Sequence, residues 1–287
     1  MQAKISKNFD SDKLKNLTLN FGQFRSEEFL MTALNAMQRH KRILEVLEAD
    51  GKVSVMHLSD SLRVSVVTIR NDLEQLERQQ VLRRIRGGAL AVRAARFERP
   101  LHLASQAFTE EKERIAKLAA TLVRDGETIM IDAGSTALAF ARALSKSLND
   151  VAVVTNSLDV ALVLAEHPGI RVVVTGGTLR GMQRSLTAPF STLVIGQLNA
   201  DTAYVSCTGI DLDKGFTTGS WEEAEVEKAM IAAASRCVIL ADHSKFGHVG
   251  SARVAELSMV DLLVTDSDVA PETVASYEAK GLQVLAA

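Results

Sequence analysis

Residues 53–89 read VSVMHLSDSLRVSVVTIRNDLEQLERQQVLRRIRGGA, and this stretch decides the fold of the amino-terminal part of the chain. Apolar residues recur within it in two helical periods separated by a short polar break. The pattern predicts two short helices joined by a tight turn. Ser54 and Ser65 precede these helices, and we expect both serine hydroxyls to act as N-caps. The two apolar stripes are Val55, Leu58 and Leu62, followed by Ile69, Leu73 and Leu76.

A further helix is predicted before this stretch, over residues 39–49. Ile43, Leu44 and Leu47 lie on one face of it at helical spacing. The dipeptide Asp50-Gly51 that follows is a signal for the end of a helix. Three consecutive helices of this length favour a helix-turn-helix arrangement.

An arginine-rich hairpin follows the last of these helices. Val81–Arg86 and Ala89–Val92 predict two strands around a Gly87-Gly88 turn, which would form a wing. The whole chain has a formal net charge of -2, so charge is informative only locally. Between Arg63 and Arg96 there are eight arginines and three acids, a local charge of +5. Such an excess is typical of a module that binds DNA.

A helix that reads the major groove needs an anchored inner face, polar or basic side chains on its first turns, and phosphate contacts that fix its register. The apolar stripe supplies the anchor, and arginine and asparagine are suited to guanine and adenine edges. A three-helix protein-interaction module is the alternative, and the arginines of the wing favour DNA. The candidate DNA-binding residues are Ser65, Val67, Thr68, Arg70, Asn71, Arg84, Arg86 and Gly87.

The sequence pattern changes after the hairpin. Residues 93–109 lack a clear period and are predicted to be a linker, and residues 1–38 are a polar arm that is a candidate for disorder. Over residues 110–287, helices alternate with short apolar strands, which indicates a parallel sheet covered by helices on both faces. The predicted fold class is therefore α/β, with a winged helix-turn-helix domain over residues 39–92. The predicted strands are Thr128–Ile131, Val151–Thr155, Val172–Thr175, Ala203–Ser206, Val238–Ala241, Leu262–Thr265 and Gln283–Leu285.

Small polar residues follow the first three of these strands. Glycine lets a backbone approach a ligand, serine and threonine add hydroxyls, and a helix N-terminus favours an anion such as phosphate. Because ligands bind beyond the carboxyl ends of parallel strands, we expect these loops to line one crevice. A fourth loop, after Val238–Ala241, adds a carboxylate and a cation. The candidate effector-binding residues in the four loops are Asp132, Gly134, Ser135, Thr136, Thr155, Asn156, Gly176, Gly177, Asp242 and Lys245.

Several other classes of site are disfavoured. The chain has neither G-x-G-x-x-G nor a phosphate-binding G-x-x-x-x-G-K-[ST] loop, so no dinucleotide, ATP or other cofactor is expected. His243 and His248 lack a third metal ligand at suitable spacing. No run approaches the ~18 apolar residues of a membrane span, and the first residues lack the apolar core of a signal peptide. Cys207 and Cys237 are expected to be buried, reduced thiols, which predicts a cytoplasmic protein without membrane contact.

The amino-terminal pattern resembles the DNA-binding domain of the DeoR family of bacterial sugar-catabolism regulators. The resemblance runs unbroken from Arg39 to Ala89. Many members carry a second arginine where this chain has Asn71, so we expect its base preference to differ from theirs. The other positions that fall on the family pattern are Ser65, Thr68-Ile69-Arg70, Asp72-Leu73, Leu76 and Arg86-Gly87-Gly88-Ala89.

Residues 110–266 also resemble the effector domain of that family. The family's domain is similar in fold to ribose-5-phosphate isomerase, and the resemblance implies a phosphorylated sugar or a related metabolite as inducer. It adds Asp211 and Glu225 to the candidate effector-binding residues. Arg180 and Arg184 follow the third loop, where they would either meet a phosphate or carboxylate or be exposed loop arginines.

Two functions remain open at this stage. The first is a DNA-binding regulator, by resemblance a repressor of carbohydrate-catabolism genes, that an effector releases from its operator. Such a regulator would be a homo-oligomer, a dimer or tetramer, because two DNA-binding domains bind repeated half-sites on double-stranded DNA. The second is a sugar-phosphate isomerase-like enzyme with Lys245, Asp132 or Glu225 as acid–base candidates. An enzyme would leave the DNA reader unexplained, so we expect no catalysis.

Overall fold

The computed structural model describes residues 35–78, 81–91 and 100–287. The polar arm predicted for residues 1–38 lies outside the described residues up to residue 34, and its last three residues already belong to the first helix.

The first part of the described chain is a winged helix-turn-helix, as the sequence predicts. Its helices bury the predicted apolar stripes, and Gly51 ends the first helix in the left-handed conformation, at a φ of 70°. Asn35 and Gln38 exchange side-chain and backbone hydrogen bonds across the first turn, a capping box. The elements are α1 (Ala36–Asp50), β1 (Lys52–Ser54), α2 (Val55–Leu62), α3 (Val66–Arg78), β2 (Leu82–Ile85) and β3 (Gly88–Ala91).

The wing differs from its prediction in two respects. It is a three-stranded sheet in the order β1-β3-β2, because the short strand before α2 pairs with β3. The predicted Gly87-Gly88 turn is wrong by one residue: Arg86 and Gly87 form the turn, and Gly88 already pairs with Ile85. Gly88 is needed for a close approach, since a Cβ there would collide with the carbonyl oxygen of Val53.

The two predicted serine caps have different outcomes. Ser65 accepts the backbone N–H of Thr68 at 3.1 Å, so its cap is confirmed. Ser54 stands at the N-cap position of α2, but its side chain makes no capping hydrogen bond, so that part of the prediction is wrong. The backbone of Val55 instead donates to the carbonyl oxygen of Gly87 at 2.9 Å, which ties the start of α2 to the wing.

The stretch predicted as a linker, residues 93–109, is described only from residue 100. Leu101–Ala104 form a short helix, α4, with Leu101 and Leu103 buried. The side-chain amine of Lys112 lies 2.7 Å from the carbonyl oxygen of Ala104 and fixes this segment to the following helix.

The second part is an α/β domain around a seven-stranded parallel sheet, as predicted. Its strand order is β15-β14-β12-β9-β4-β5-β6, and these are the seven strands the sequence indicates, with shifted ends at four of them. The elements up to the middle of the sheet are α5 (Thr109–Ala120), β4 (Thr128–Ile131), α6 (Ser135–Ala143), β5 (Val151–Thr155), α7 (Leu158–Leu164), β6 (Ile170–Val174), β7 (Thr178–Arg180), β8 (Ser185–Thr187), α8 (Phe190–Ile195) and β9 (Ala200–Ser206). The remaining elements are β10 (Gly209–Asp211), β11 (Gly215–Thr218), α9 (Trp221–Ala232), β12 (Ala234–Leu240), β13 (Ala252–Ala255), β14 (Leu262–Thr265), α10 (Pro271–Glu278) and β15 (Val284–Ala286).

Two apolar clusters lie on the two faces of the sheet. One joins alternate strand residues to α5, α6 and α7, and the other joins the intervening residues to α8, α9 and α10. Two small elements were not predicted: the hairpin β7–β8 and the sheet β10-β11-β13. Their strands are three or four residues long, too short for a periodic signal.

The two cysteines are buried and unbonded, as predicted. Burial raises the thiol pKa of Cys237 to about 12 and raises that of Cys207 as well, so neither is a reactive thiolate at neutral pH. Within the described residues, no helix combines the length and the apolar character needed to span a bilayer.

Candidate functional site

The exposed face of α3 carries the residues predicted to read DNA. Val67 is 63% exposed, and Arg70 and Asn71 are exposed three and four positions later, so the three lie on one face. Gln75, four residues after Asn71, extends this face and was not predicted; the same helical spacing could have found it. On the opposite face, Ile69 is fully buried.

Ser65 and Thr68 have a local role at the start of α3. The two hydroxyls lie 2.8 Å apart and bond to each other, while Ser65 also accepts the N–H of Thr68. Thr68 is only half-buried, so its methyl group and hydroxyl remain partly accessible. This pair shapes the helix end that the phosphate backbone would approach.

Asp72 fixes the orientation of α3 from inside. It is buried next to Asn71, and Arg39 and His40 of α1 both contact its carboxylate. The sequence placed Asp72 on the family pattern without giving it a role. No local signal could assign the contact, because its partners lie more than thirty residues away in the chain.

The wing presents its arginines to solvent. Arg84 and Arg86 are exposed, and the backbone N–H of Arg84 donates to the Glu77 carboxylate at 2.8 Å. That bond joins the wing to the end of α3 while leaving the guanidinium free to point outward. Gly87 occupies the turn at a φ of 82°, a conformation that favours glycine.

The predicted effector loops meet at one edge of the parallel sheet. Strands β4, β5 and β6 are neighbours, and the loops at residues 132–136, 155–157 and 175–177 follow their carboxyl ends. Two loops open helices: α6 begins at Ser135, with Thr136 buried in its first turn, and Ser157 caps α7 by accepting the N–H of Val160.

Asp132 is the buried carboxylate of this edge, with 2% of its surface exposed. Burial, together with the negative charge of Glu223, raises its pKa to about 8. Backbone N–H groups of Ala133 and Ser206 and the nearby Asn156 amide act in the opposite direction but do not offset burial. A carboxyl of this kind gains most from a ligand that donates hydroxyl hydrogens to it.

Asn156 and Ser206 carry polar atoms without hydrogen-bond partners beside Asp132. Asn156 is completely buried, yet neither its amide nitrogen nor its oxygen reaches a well-formed hydrogen bond in the described structure. The Ser206 hydroxyl is in the same state, and a Cβ on Gly134 would come within 3.1 Å of it. Buried polar groups are normally satisfied, so these atoms indicate a place for a polar ligand.

Two glycines allow the loops at this sheet edge to pack closely against neighbouring residues. Gly134 has a φ of 140° and Gly177 a φ of 129°, which other residues rarely adopt. A Cβ on Gly177 would lie 2.5 Å from the carbonyl oxygen of Thr187. Ser191 of α8 donates to the carbonyl oxygen of Gly176, so α8 is fixed to this loop. Thr155 accepts the N–H of Ser157 at 3.0 Å and shapes its own loop.

The fourth loop follows β12 and holds Asp242 and Lys245. Asp242 caps a short 3₁₀ helix by accepting the N–H of Ser244, and the Lys245 amine lies 3.8 Å from its carboxylate. Glu227 of α9 is buried near Cys207, whose pKa it helps to raise while Lys245 lowers it. Glu227 was not predicted as a site residue.

Asp211 and Glu225 are placed differently from the loop residues. The Asp211 carboxylate accepts the N–H groups of Asp213 and Lys214 and closes the turn between β10 and β11. Glu225 is 60% exposed and pairs with Lys228 on the outer face of α9. The structure brings Glu223, two residues earlier, to Ser185 and Arg180 instead. Helical spacing could have indicated this, since Glu223, Glu227 and the buried Met230 recur on one face.

The two candidate loop arginines have separate environments. Arg184 is 61% exposed and pairs with Asp159 at 2.9 Å. Arg180 is 30% exposed and its Nη1 lies 2.8 Å from Oε1 of Glu223.

Three residues beyond β14 and β12 could in principle hold a metal ion. Ligand atoms of His243, Asp266 and Asp268 lie within 4.8 Å of one another. However, His243 bonds to Asp266 at 2.9 Å, and Asp268 pairs with Arg114. The carboxylate of Asp266 raises the pKa of His243 by hydrogen bonding. These contacts give the cluster a structural role, and we propose no metal there.

Comparison with family models assigns both parts of the chain. Residues 39–94 match the DeoR-like helix-turn-helix domain, and residues 107–267 match the DeoR C terminal sensor domain.

Several transcriptional regulators match this chain over most of their length. The HTH-type transcriptional regulator GolR of Listeria innocua is 32% identical over 247 residues, covering 86% of this chain and 97% of the relative. The glycerol-3-phosphate regulon repressor of Escherichia coli is 34% identical over 230 residues, 80% of this chain and 90% of the relative. The HTH-type transcriptional repressor GlcR of Bacillus subtilis is 33% identical, covering 80% and 88%.

Solved structures of ribose 5-phosphate isomerases show a weaker likeness. The enzyme from Methanocaldococcus jannaschii aligns with 22% identity and a TM-score of 0.37, over 49% of this chain and 55% of that chain. The enzyme from Neisseria gonorrhoeae gives 22% identity and a TM-score of 0.36, over 48% and 53%.

Proposed function

Because this chain belongs to the DeoR family of DNA-binding transcriptional regulators, we propose that it represses a carbohydrate-catabolism operon and leaves its operator when a phosphorylated sugar or related metabolite binds. The observation that carries the proposal is that one chain contains both a DNA-binding surface and a candidate ligand site. An exposed reading helix with an arginine wing precedes a sheet edge that holds unsatisfied buried polar atoms.

The DNA-binding half of the proposal rests on the exposed face of α3. Arg70 and Asn71 offer donors to base edges in the major groove, with Val67 available for a thymine methyl group. Arg84 and Arg86 on the wing would contact phosphates and set the register. Ser65, Thr68 and Gly87 would place backbone and hydroxyl groups at the same surface.

The effector-binding half rests on the sheet edge. Asp132, Asn156 and Ser206 supply an acceptor, an amide and a hydroxyl to a ligand rich in hydroxyl groups. The first turn of α6, opened by Gly134, Ser135 and Thr136, offers backbone N–H groups. The relative named as a glycerol-3-phosphate regulon repressor supports a ligand of this class.

We propose that the protein does not catalyse a reaction. Of the acid–base candidates, Glu225 points to solvent beside Lys228, and Lys245 is held by Ser244 and Asp242. The relatives are transcriptional regulators. We propose that the protein is a homo-oligomer, because two DNA-binding domains on one assembly match repeated half-sites. We also propose that it acts in the cytoplasm.

Release follows from differential binding. The effector weakens DNA affinity only if it binds the DNA-free conformation more tightly than the DNA-bound one. A coupling of about 1–3 kcal/mol changes DNA affinity by about 5–150-fold.

The experiment is footprinting of DNA upstream of the neighbouring genes at physiological salt, with and without a panel of sugar phosphates. We expect a protected site that one phosphate releases. Arg70→Ala should lose protection, whereas Arg171→Ala, which alters an exposed arginine of β6, should retain it. Absence of any protected site with the wild-type protein would refute the proposal.

A further inference from the structure

An ion pair joins the hairpin β7–β8 to the first turn of α9. Arg180 Nη1 lies 2.8 Å from Glu223 Oε1, and the same oxygen accepts the Ser185 hydroxyl at 2.7 Å. The side chain of Glu223 is 12% exposed and that of Arg180 is 30% exposed, so the pair is largely shielded from water. A pair in this setting is stronger than one on an open surface.

The hairpin lies against the sheet edge that holds Asp132, because the backbone N–H of Leu186 in β8 donates to the carbonyl oxygen of Asn156 at 2.8 Å. The charge of Glu223 adds to burial in raising the pKa of Asp132, which favours the protonated form of that carboxyl. Asn156 lies beside Asp132, and neither of its amide atoms makes a well-formed hydrogen bond. One site therefore combines the Arg180 guanidinium, which pairs with Glu223, with the buried side chains of Asp132 and Asn156, which are suited to binding hydroxyl groups.

We infer that Arg180 is the anion-binding residue of the effector site, and that Glu223 occupies it as an internal anion until the anionic group of the effector replaces it. This inference rests on the proposed function. The ligand class is a polyhydroxylated compound with one anionic group, a phosphate monoester or a carboxylate. Its hydroxyls meet Asp132, Asn156 and Ser206, while its anion pairs with the planar guanidinium of Arg180.

The exchange has a direct structural consequence. The loop of the same hairpin accepts a backbone hydrogen bond from α4, from Leu101 N to the Met182 oxygen at 2.9 Å. Helix α4 begins directly after the segment that follows the wing. A hairpin released from Glu223 and held by the effector would therefore change the position of α4, and with it the attachment of the DNA reader.

The test is a calorimetric titration of the full chain with inorganic phosphate. Glu223→Gln keeps an acceptor for Ser185 but removes the competing charge, so we expect phosphate to bind about 10-fold more tightly. Arg180→Gln should bind about 10-fold more weakly than wild type. Glu278→Gln and Arg171→Gln make the same charge changes at exposed positions and serve as matched controls.

The double variant Arg180→Gln/Glu223→Gln separates competition from general electrostatics. If Glu223 acts by occupying Arg180, the double variant binds phosphate as weakly as Arg180→Gln alone. The inference is overturned if Glu223→Gln raises phosphate affinity even when Arg180 is replaced. It is also overturned if Glu223→Gln does not raise phosphate affinity at all. Should Arg180→Gln fail to fold, Arg180→Lys replaces it, and equal phosphate affinity for Lys and Arg at this position would also count against a guanidinium site.

Failure of this inference differs from failure of the proposed function. The proposed function fails when the wild-type protein protects no operator. The inference fails when Glu223→Gln leaves phosphate affinity unchanged, whether or not the protein protects an operator.

Discussion

Arg39 of α1 and Asp72 of α3 are joined by two hydrogen bonds, from Nε to Oδ2 at 2.7 Å and from Nη2 to Oδ1 at 3.0 Å. The side chains are 14% and 5% exposed, so the pair lies largely inside the winged helix. His40 adds a contact of 3.2 Å to the same carboxylate. Because Asp72 adjoins Asn71, this pair sets the rotation of the reading face relative to α1.

Arg39→Ala should destabilise the winged helix by about 2–4 kcal/mol, because it leaves a buried carboxylate with only His40 to compensate it. Hydrogen exchange of the α3 amides, read by mass spectrometry, measures this loss locally. Arg42→Ala is the control, since Arg42 is 66% exposed and pairs with Glu45 on the surface. Equal protection of α3 in both variants would show that the pair does not hold the helix.

Asn71→Arg should change the base preference of the operator at one position per half-site, because arginine favours guanine where asparagine favours adenine. Arg86→Ala should instead weaken binding to all sequences alike and reduce the salt dependence, as expected for a phosphate contact. A selection from random DNA measures the base preference of Asn71→Arg. A salt titration of operator binding measures the affinity and salt dependence of Arg86→Ala. An unchanged consensus for Asn71→Arg would mean that α3 does not enter the groove as proposed.

The sequence predicts those parts of the fold whose signals are local. Apolar periodicity located α1 to α3, and the bounds of β4, β5 and β14 agree residue for residue with the prediction. The edge of the sheet where the effector loops meet also followed, because parallel strands place their carboxyl ends together.

The remaining features depend on contacts between distant residues. Arg39 and Asp72 are 33 positions apart, and Ser185 and Glu223 are 38 apart, so neither contact has a sequence signature. The choice of Glu225 over Glu223 has a different cause. The buried residues Glu227 and Met230 share a helical face with Glu223, so the spacing along α9 was a local signal that the prediction did not use.

Asp132 should make the stability of the effector-free protein depend on pH. Its pKa rises from 3.8 to about 8 on folding, so the folded state holds an extra proton between these values. The resulting stability is fully present below pH 3.8 and is lost as pH rises towards 8. Relative to Asp132→Asn, the wild-type free energy of unfolding should fall by up to ~1.4 kcal/mol per pH unit in that window.

Urea unfolding of both proteins at pH 5, 6 and 7 measures this difference. Asp213→Asn changes an exposed carboxylate and should follow the wild-type profile. Parallel profiles for wild type and Asp132→Asn would show that this carboxyl is ionised in the folded protein throughout the range.

Asn156→Leu should stabilise the effector-free protein while abolishing its response to effector. The wild-type amide is fully buried without a well-formed hydrogen bond, which costs about 1–3 kcal/mol, and leucine has the same branched shape without polar atoms. Thermal unfolding with and without the releasing sugar phosphate measures both effects. Asn199→Leu, at an exposed position before β9, is the control and should keep the ligand-induced shift. A variant that is less stable than wild type would mean that the amide makes contacts worth more than its burial costs, and its role as a vacant ligand group would be lost.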